Sequence, residues 1–283
     1  MTRTEPEASL SSREMSARPR GPSRRFFVVL AIIAVAALGL RVTYVMTVTR
    51  HDHGFYDAVY YELQATRVAD GLGYTDPLRA INPNTRSETP GPAADHPPMT
   101  VLVLVPVAWI FRSGFVMRLQ MALLGTLTVV LLGLLARRLA GDAAGLVAAG
   151  VAAIYPGLWV NDGLIMSETV CALVVTLALL ATYRFLDRPR WTRAAVVGVL
   201  CGVAALTRAE LLVLAPVLAA WMLFTRRIAI PRVRASAAGA VIVGMLVTLA
   251  PWFVYNQTRF KNTVIISTND GVAMAGSNCP AVY

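Results

Sequence analysis

Apolar runs of membrane-crossing length recur along this chain, and short arginine-rich segments separate them. No other feature constrains the fold as much. Inside hydrocarbon every backbone N–H and C=O must find its partner within the protein, so spanning segments are helices or closed barrels. Unbroken apolar stretches approaching twenty residues select helices. The 283 residues are 56% hydrophobic and 15% charged, whereas a soluble domain carries roughly 25% charged residues. The expected class is an all-α polytopic membrane protein, with about seven membrane segments and interfacial helices in a large first outer loop.

A net charge of +10 would suit nucleic acid if it formed a patch. Here the arginines sit between apolar runs, where orientation signals sit, so nucleic acid is excluded as a partner. Lys261 is the only lysine. That bias, with abundant Ala, Val and Gly, resembles a high-GC bacterial genome, which is a remark about codons. Of the three cysteines, Cys171 and Cys201 lie in apolar runs and read as small buried hydrophobes. Cys279 lies in the polar tail, either free or paired with a residue beyond Tyr283.

Residues 1–25 are polar and aperiodic and read as a disordered cytoplasmic tail. Arg18, Arg20, Arg24 and Arg25 precede the first apolar run and hold that end inside. Residues 26–48 are spanning length, interrupted only by Arg41. The shorter run 26–40 alone could also be a signal-peptide core, with Ala37-Leu38-Gly39 a poor cleavage site. Residues 49–98 form a polar outer loop, within a first outer region of 49–113. In it, 56–70 reads as a helix. Tyr56, Val59, Tyr60 and Leu63 make one stripe, and Asp57, Tyr61, Gln64 and Val68 a neighbouring one. A single greasy stripe places the helix in the interface. Residues 77–94 are irregular. Residues 99–111 are apolar but short and suit a re-entrant or interfacial helix. Crossings are expected at 116–135, 143–160, 169–185 and 235–253. Two short helices, 194–206 and 211–224, would meet at a cavity, because charged turns at membrane depth survive only where they line protein or water. The module is expected over 26–255, with 256–283 an external tail opening a region beyond this chain. The amino terminus is then cytoplasmic and the whole a multi-pass protein of the inner (plasma) membrane.

The polar loops carry the chemistry. Asp57 sits at a water–membrane boundary, where desolvation would make its carboxylate a better base; the plainer reading is a solvated acid at a helix start. Glu168 and Asp162 lie in the next outer turn, with Ser167 as a helix cap in the plainer reading. Three acids from two loops could converge on one cavity as base, orienting group or metal ligand. His96, in Asp95-His96-Pro97-Pro98, suits phosphate binding or orienting a carboxylate, or is simply a polar turn stiffened by proline. Arg208 and Arg41 are the candidate phosphate-holding guanidinia. Their alternatives are an ion pair of Arg208 with Glu210, and snorkelling. No phosphate loop, dinucleotide fingerprint or zinc-protease motif is present, which leaves nucleotide-driven pumping and zinc proteolysis without support.

Taken in order, Asp57-Ala-Val-Tyr-Tyr-Glu62, Asp70-Gly-Leu-Gly-Tyr74, His96-Pro-Pro98, Arg137-Arg-Leu-Ala-Gly141, Tyr155-Pro156, Ser167-Glu168, Ala205-Leu-Thr-Arg208, Ser267-Thr-Asn-Asp-Gly271 and Asn278-Cys-Pro280 resemble the GT-C superfamily of polyprenyl-phosphate-sugar glycosyltransferases. The resemblance is to the protein-mannosyltransferase-like, family 39 type, in its bacterial form. It implies inverting transfer of a sugar from a polyprenyl-phosphate donor to an acceptor hydroxyl outside the cytoplasmic membrane. Asp57 would be the base and Glu168 an assisting acid or metal ligand. Arg208 would stand near the lipid phosphate, and His96, Tyr61, Arg41 and Asp162 would contact substrate. A divalent cation, Mg or Mn on Asp57 and Glu168, is the one cofactor left open. The acceptor is a glycan, lipid or protein, and the bilayer is a partner. Two departures stand out. Ala58 follows Asp57 where many relatives have a second acid, and relatives are usually longer, so this chain resembles their catalytic half. Two readings from other classes remain: a transporter or flippase of lipid-linked sugars, which an inverted repeat would favour though none is found, and a non-catalytic assembly subunit.

Overall fold

The structure, a computed structural model, describes residues 23–51, 56–79 and 91–269. The expected tail 1–25 therefore falls almost wholly outside the described residues, as do Cys279 and the end of the 256–283 tail. Among the described residues the protein is helical, and its only extended pairing is an isolated bridge between Thr75 and Pro92.

Helix α1 (Arg24–Tyr44) starts where the Ser23 hydroxyl accepts the Phe26 N–H at 3.1 Å, satisfying one of the free donors of a helix start. A wider turn, Val45–Thr49, continues it. Helix α2 (Tyr56–Ala69) is close to the helix expected over 56–70, but its buried face is different. Tyr60, Tyr61, Gln64 and Ala65 are buried, while Val59 and Leu63 are only partly covered; the Tyr56 side chain lies outside the described residues. The helix therefore packs into the protein by this face. The reason is a receiving wall in α3 (Met99–Phe111), whose Val101, Leu104 and Ala108 join Tyr60, Tyr61 and Ala65 in one core.

Helix α4 (Gly114–Ile154) is a hairpin: Ala140 and Gly141 leave helical geometry, and Gly141 has φ 87° and ψ −179°, a combination essentially reserved for glycine. The arms, 114–139 and 142–154, approach closely at Gly133, Gly145 and Ala149, with Leu30 of α1 packed beside them. Proline opens α5 (Pro156–Gly163), where its missing N–H is harmless. Then come α6 (Ser167–Asp187), α7 (Trp191–Ala205), a 3₁₀ turn (Ala209–Val213), α8 (Leu214–Phe224) and α9 (Pro231–Arg259). Helices α7 and α9 touch backbone to backbone: a methyl on Gly198 would collide with the Val241 carbonyl. Small residues allow such approach in membranes, where van der Waals packing must do what the hydrophobic effect does in water.

Four helical stretches are long and apolar enough to cross a membrane by length and composition: Arg24–Thr49, Gly114–Ile154, Ser167–Asp187 and Pro231–Arg259. Met99–Phe111, Trp191–Ala205 and Ala209–Phe224 are shorter apolar helices. Phe27, Ile32, Val35, Leu123, Val147 and Val247 point away from the protein, an outer surface that needs lipid as its solvent. The fold is that of a multi-pass membrane protein. The expectation of about seven segments depends on counting both arms of α4 and the short α7 and α8 separately.

Candidate active site

Several polar segments meet at one end of the bundle. The first is the start of α2, carrying Asp57 and Tyr61. The 94–98 loop enters α3, and its Met99 N–H binds the Leu206 carbonyl at 2.8 Å. That bond fixes the loop to the end of α7. Here the Leu206, Thr207 and Arg208 N–H groups fold back onto carbonyls of 202–204, and the buried Thr207 hydroxyl donates to the Ala204 carbonyl at 2.6 Å. Arg208 therefore projects from a pinned turn. Glu168 lies in the first turn of α6, where the free N–H groups favour a negative charge. Ser167 is not the cap expected there. Met166 holds that position without a side-chain bond, and the Ser167 hydroxyl instead donates to Glu168 Oε2 at 3.3 Å.

Asp57, Tyr61, His96, Glu168 and Arg208 line one open pocket of about 310 Å³, within the range of small-molecule sites. Arg208 is its electrostatic centre. Nη1 donates to Glu168 Oε1 at 2.5 Å and Nε to Glu210 Oε1 at 2.6 Å, and the three side chains are 38%, 38% and 62% exposed. The bond to Glu210, with Glu168 beside it, raises the Arg208 pKa above its usual value. Arg208 is a fixed cation set in water. His96 lies between the Tyr60 and Tyr61 rings, 4.9 and 5.1 Å between centroids, and its Nε2 is 3.6 Å from Asp57 Oδ1. That distance is just beyond a hydrogen bond. Burial lowers the imidazole pKa against the opposing pull of Asp57 and Asp95. Burial also pushes Tyr61 up to about 12, with Ser167 working the other way, so this wall is a neutral phenol. The desolvation expected of Asp57 is only partial, its side chain being 46% exposed.

Arg41 and Asp162 stand elsewhere. Arg41 Nε meets Asp162 Oδ2 at 2.6 Å with side chains 0% and 2% exposed. The Ala37 and Ala153 carbonyls accept from Arg41 Nη1, and Thr169 donates to Asp162 at 2.7 Å. Arg41 neither snorkels nor faces the pocket, and Asp162 belongs to α5 rather than to an outer turn. The pair ties α1 to α4, α5 and α6.

Sequence reasoning passed over other lining residues. Asp95 sits beside His96 in the same loop, and that adjacency was a usable signal. Ser267 and Asn269 close the pocket from beyond α9. Thr268 between them is clasped to the 94–95 segment, its N–H to the Ala94 carbonyl at 2.8 Å and its hydroxyl to Asp95 at 3.2 Å. Trp252 Nε1 holds the Ile266 carbonyl at 2.7 Å. Only tertiary contact brings this strap back to the site.

Among the described residues the donor set offers no divalent-cation site. No group of three or more His, Cys, Asp or Glu side chains among the described residues could hold one, and Glu168 already spends its charge on Arg208.

A sequence model of the dolichyl-phosphate-mannose-protein mannosyltransferase family matches residues 95–255, more than half the chain. No curated protein matches. Among solved structures, the crystal structure of the Archaeoglobus fulgidus oligosaccharyltransferase, tethered to an acceptor peptide, matches with TM-score 0.64 and 21% identity. The match covers 89% of this chain and 32% of that one, so this chain spans about a third of its length. At that identity the likeness is one of fold. The family match, covering residues 95–98 of the loop before α3, α6 and the Arg208 turn, carries the assignment: the chain belongs to the dolichyl-phosphate-mannose-protein mannosyltransferase family, within the GT-C superfamily of membrane glycosyltransferases.

Proposed function

We propose that this chain is the catalytic membrane module of an enzyme that moves a sugar from a polyprenyl-phosphate donor to an acceptor hydroxyl, with inversion. The observation that carries the reading is one shared pocket holding Asp57, His96, Glu168 and Arg208. Asp57 takes the proton of the acceptor hydroxyl as its oxygen forms a bond to the anomeric carbon. The bond from that carbon to the phosphate oxygen breaks, and the lipid phosphate leaves with the electron pair. Arg208 neutralises that phosphate by exchanging its exposed partner Glu210 for it, while Glu168 keeps the guanidinium aimed. His96, neutral through burial, orients Asp57 without quenching its charge.

The setting supports this chemistry. A lipid donor presents its phosphate at the headgroup plane, and the pocket opens at the end of the bundle remote from the arginine clusters of the helix turns. Those clusters mark the cytoplasmic side, so the pocket faces outward and the amino terminus inward. The unit 26–255 is the catalytic module, and a glycan, lipid or protein serves as acceptor.

Membranes containing the protein, incubated with labelled polyprenyl-phosphate mannose and other polyprenyl-phosphate sugars, test the reading. Release of lipid phosphate with a product of inverted anomeric configuration is expected. Retained configuration would overturn the direct displacement. Movement of intact labelled lipid across the bilayer without cleavage would replace the enzyme by a transporter.

A further inference from the structure

A second cleft lies at the opposite end of the molecule. Helix α6 has 21 residues, about 30 Å at 1.5 Å per residue, and Glu168 stands at its first turn. At its last turn, where it meets α7, a cleft of about 500 Å³ is lined by Ala181, Arg184, Asp187, Arg188, Arg193 and Val196. Its chemistry is split. Ala181 and Val196 lie deeper along the two helices and give an apolar wall, with Val196 52% exposed. The arginines form the rim, and Trp191 beside them is 65% exposed, the placement of an interfacial anchor.

The rim charges are unequally used. Arg138 holds Asp187 at 2.5 Å, which neutralises the cleft's one acid. Arg193 Nη1 binds the Arg184 carbonyl at 2.8 Å and reaches the Arg188 carbonyl at 3.5 Å, capping the end of α6. Arg184 and Arg188 are exposed and have no carboxylate partner among the described residues. Charges that served only to orient the chain would need no cavity between them. Two free guanidinia above an apolar slot match a phosphate with hydrocarbon attached.

We infer that this cleft binds an anionic glycerophospholipid of the leaflet at the arginine-rich face, its phosphate on Arg184 and Arg188 and an acyl chain along Ala181 and Val196.

The test uses the purified full chain in zwitterionic-lipid nanodiscs, titrated with phosphatidylglycerol, phosphatidylcholine or soluble glycerol phosphate. Retained lipid is read by native mass spectrometry and the melting midpoint by a thermal ramp. Phosphatidylglycerol is expected to be retained and to raise the midpoint, and the other two are not. The double variant Arg184→Gln/Arg188→Gln should weaken retention about thirtyfold, from roughly fivefold per interfacial arginine. Val196→Phe should weaken it as well with every charge intact, which decides the matter if the double variant fails to fold. Arg226→Gln/Arg227→Gln removes equal charge from the next turn and should change nothing. Equal retention of phosphatidylcholine, an equal shift with glycerol phosphate, or an equal loss in the Arg226/Arg227 variant would each overturn the inference.

Discussion

Two arginine–carboxylate pairs are built into this molecule with the same chemistry and opposite surroundings. Arg41 and Asp162 are 2.6 Å apart and sealed from solvent. Arg208 and Glu168 are 2.5 Å apart, with more than a third of each side chain exposed. A buried pair has no competing solvent and no room for an exchange partner, so it fixes helices. A half-exposed pair is screened and adds little stability, and Arg208 holds a second, more exposed carboxylate in Glu210. The first keeps the bundle in register; under the proposed mechanism the second holds Arg208 aimed while Glu210 gives way to a phosphate. Charge inside a membrane protein is thus not a mark of function until its solvent is known.

Arg41→Met is expected to have the largest effect on stability. It strands the Asp162 carboxylate in the core and should cost about 3–5 kcal/mol; loss of the folded species in a detergent thermal melt is the readout. A melting midpoint like the parent's would show that the pair does not lock the helices. Arg208→Gln should do the reverse: stability changes by less than about 1 kcal/mol, while transfer in a labelled-donor assay falls about 10²–10³-fold. A third variant sharpens the contrast. Gly125 abuts the Asp162 carboxylate so closely that a methyl would displace it, so Gly125→Ala should cost about 1–3 kcal/mol in the same melt.

Acid gives a smaller effect. Burial depresses the His96 pKa, so below about pH 6.5 the unfolded chain binds a proton that the folded protein refuses. Stability therefore rises with pH through that window, is lost as pH falls through it, and receives nothing from this group above it. The melting midpoint should drop between pH 7 and 5, and His96→Gln should flatten that drop. Smallest of all is chelation: with Glu168 committed to Arg208, EDTA should leave the transfer rate unchanged.

Local patterns made much of this architecture readable. The apolar run 99–111 appears as a helix of the same bounds, because proline precedes it and Arg112, in the left-handed region, ends it. The break after Arg137-Arg138 appears as the Ala140–Gly141 turn, since glycine supplies the needed backbone. Periodicity misassigned the buried face of α2. It ranks positions by hydrophobicity, while the wall of α3 received Tyr60, Tyr61 and Ala65 and left Val59 and Leu63 only partly covered. Nor does a sequence show the distant partner that absorbs a charge: Arg41 and Asp162 meet across 121 positions. The Ser267–Asn269 strap was legible as a motif but not as a pocket wall, because its position depends on hydrogen bonds to residues some 170 positions earlier.

In the proposed mechanism Asp57 removes the acceptor's proton in the pocket it shares with Arg208. The most direct measurement is sugar transfer by Asp57→Asn from labelled polyprenyl-phosphate donor, beside its melting midpoint. A fall of about 10²–10⁴-fold at an unchanged midpoint is the predicted result. Transfer at the parent's rate by the folded variant would contradict it.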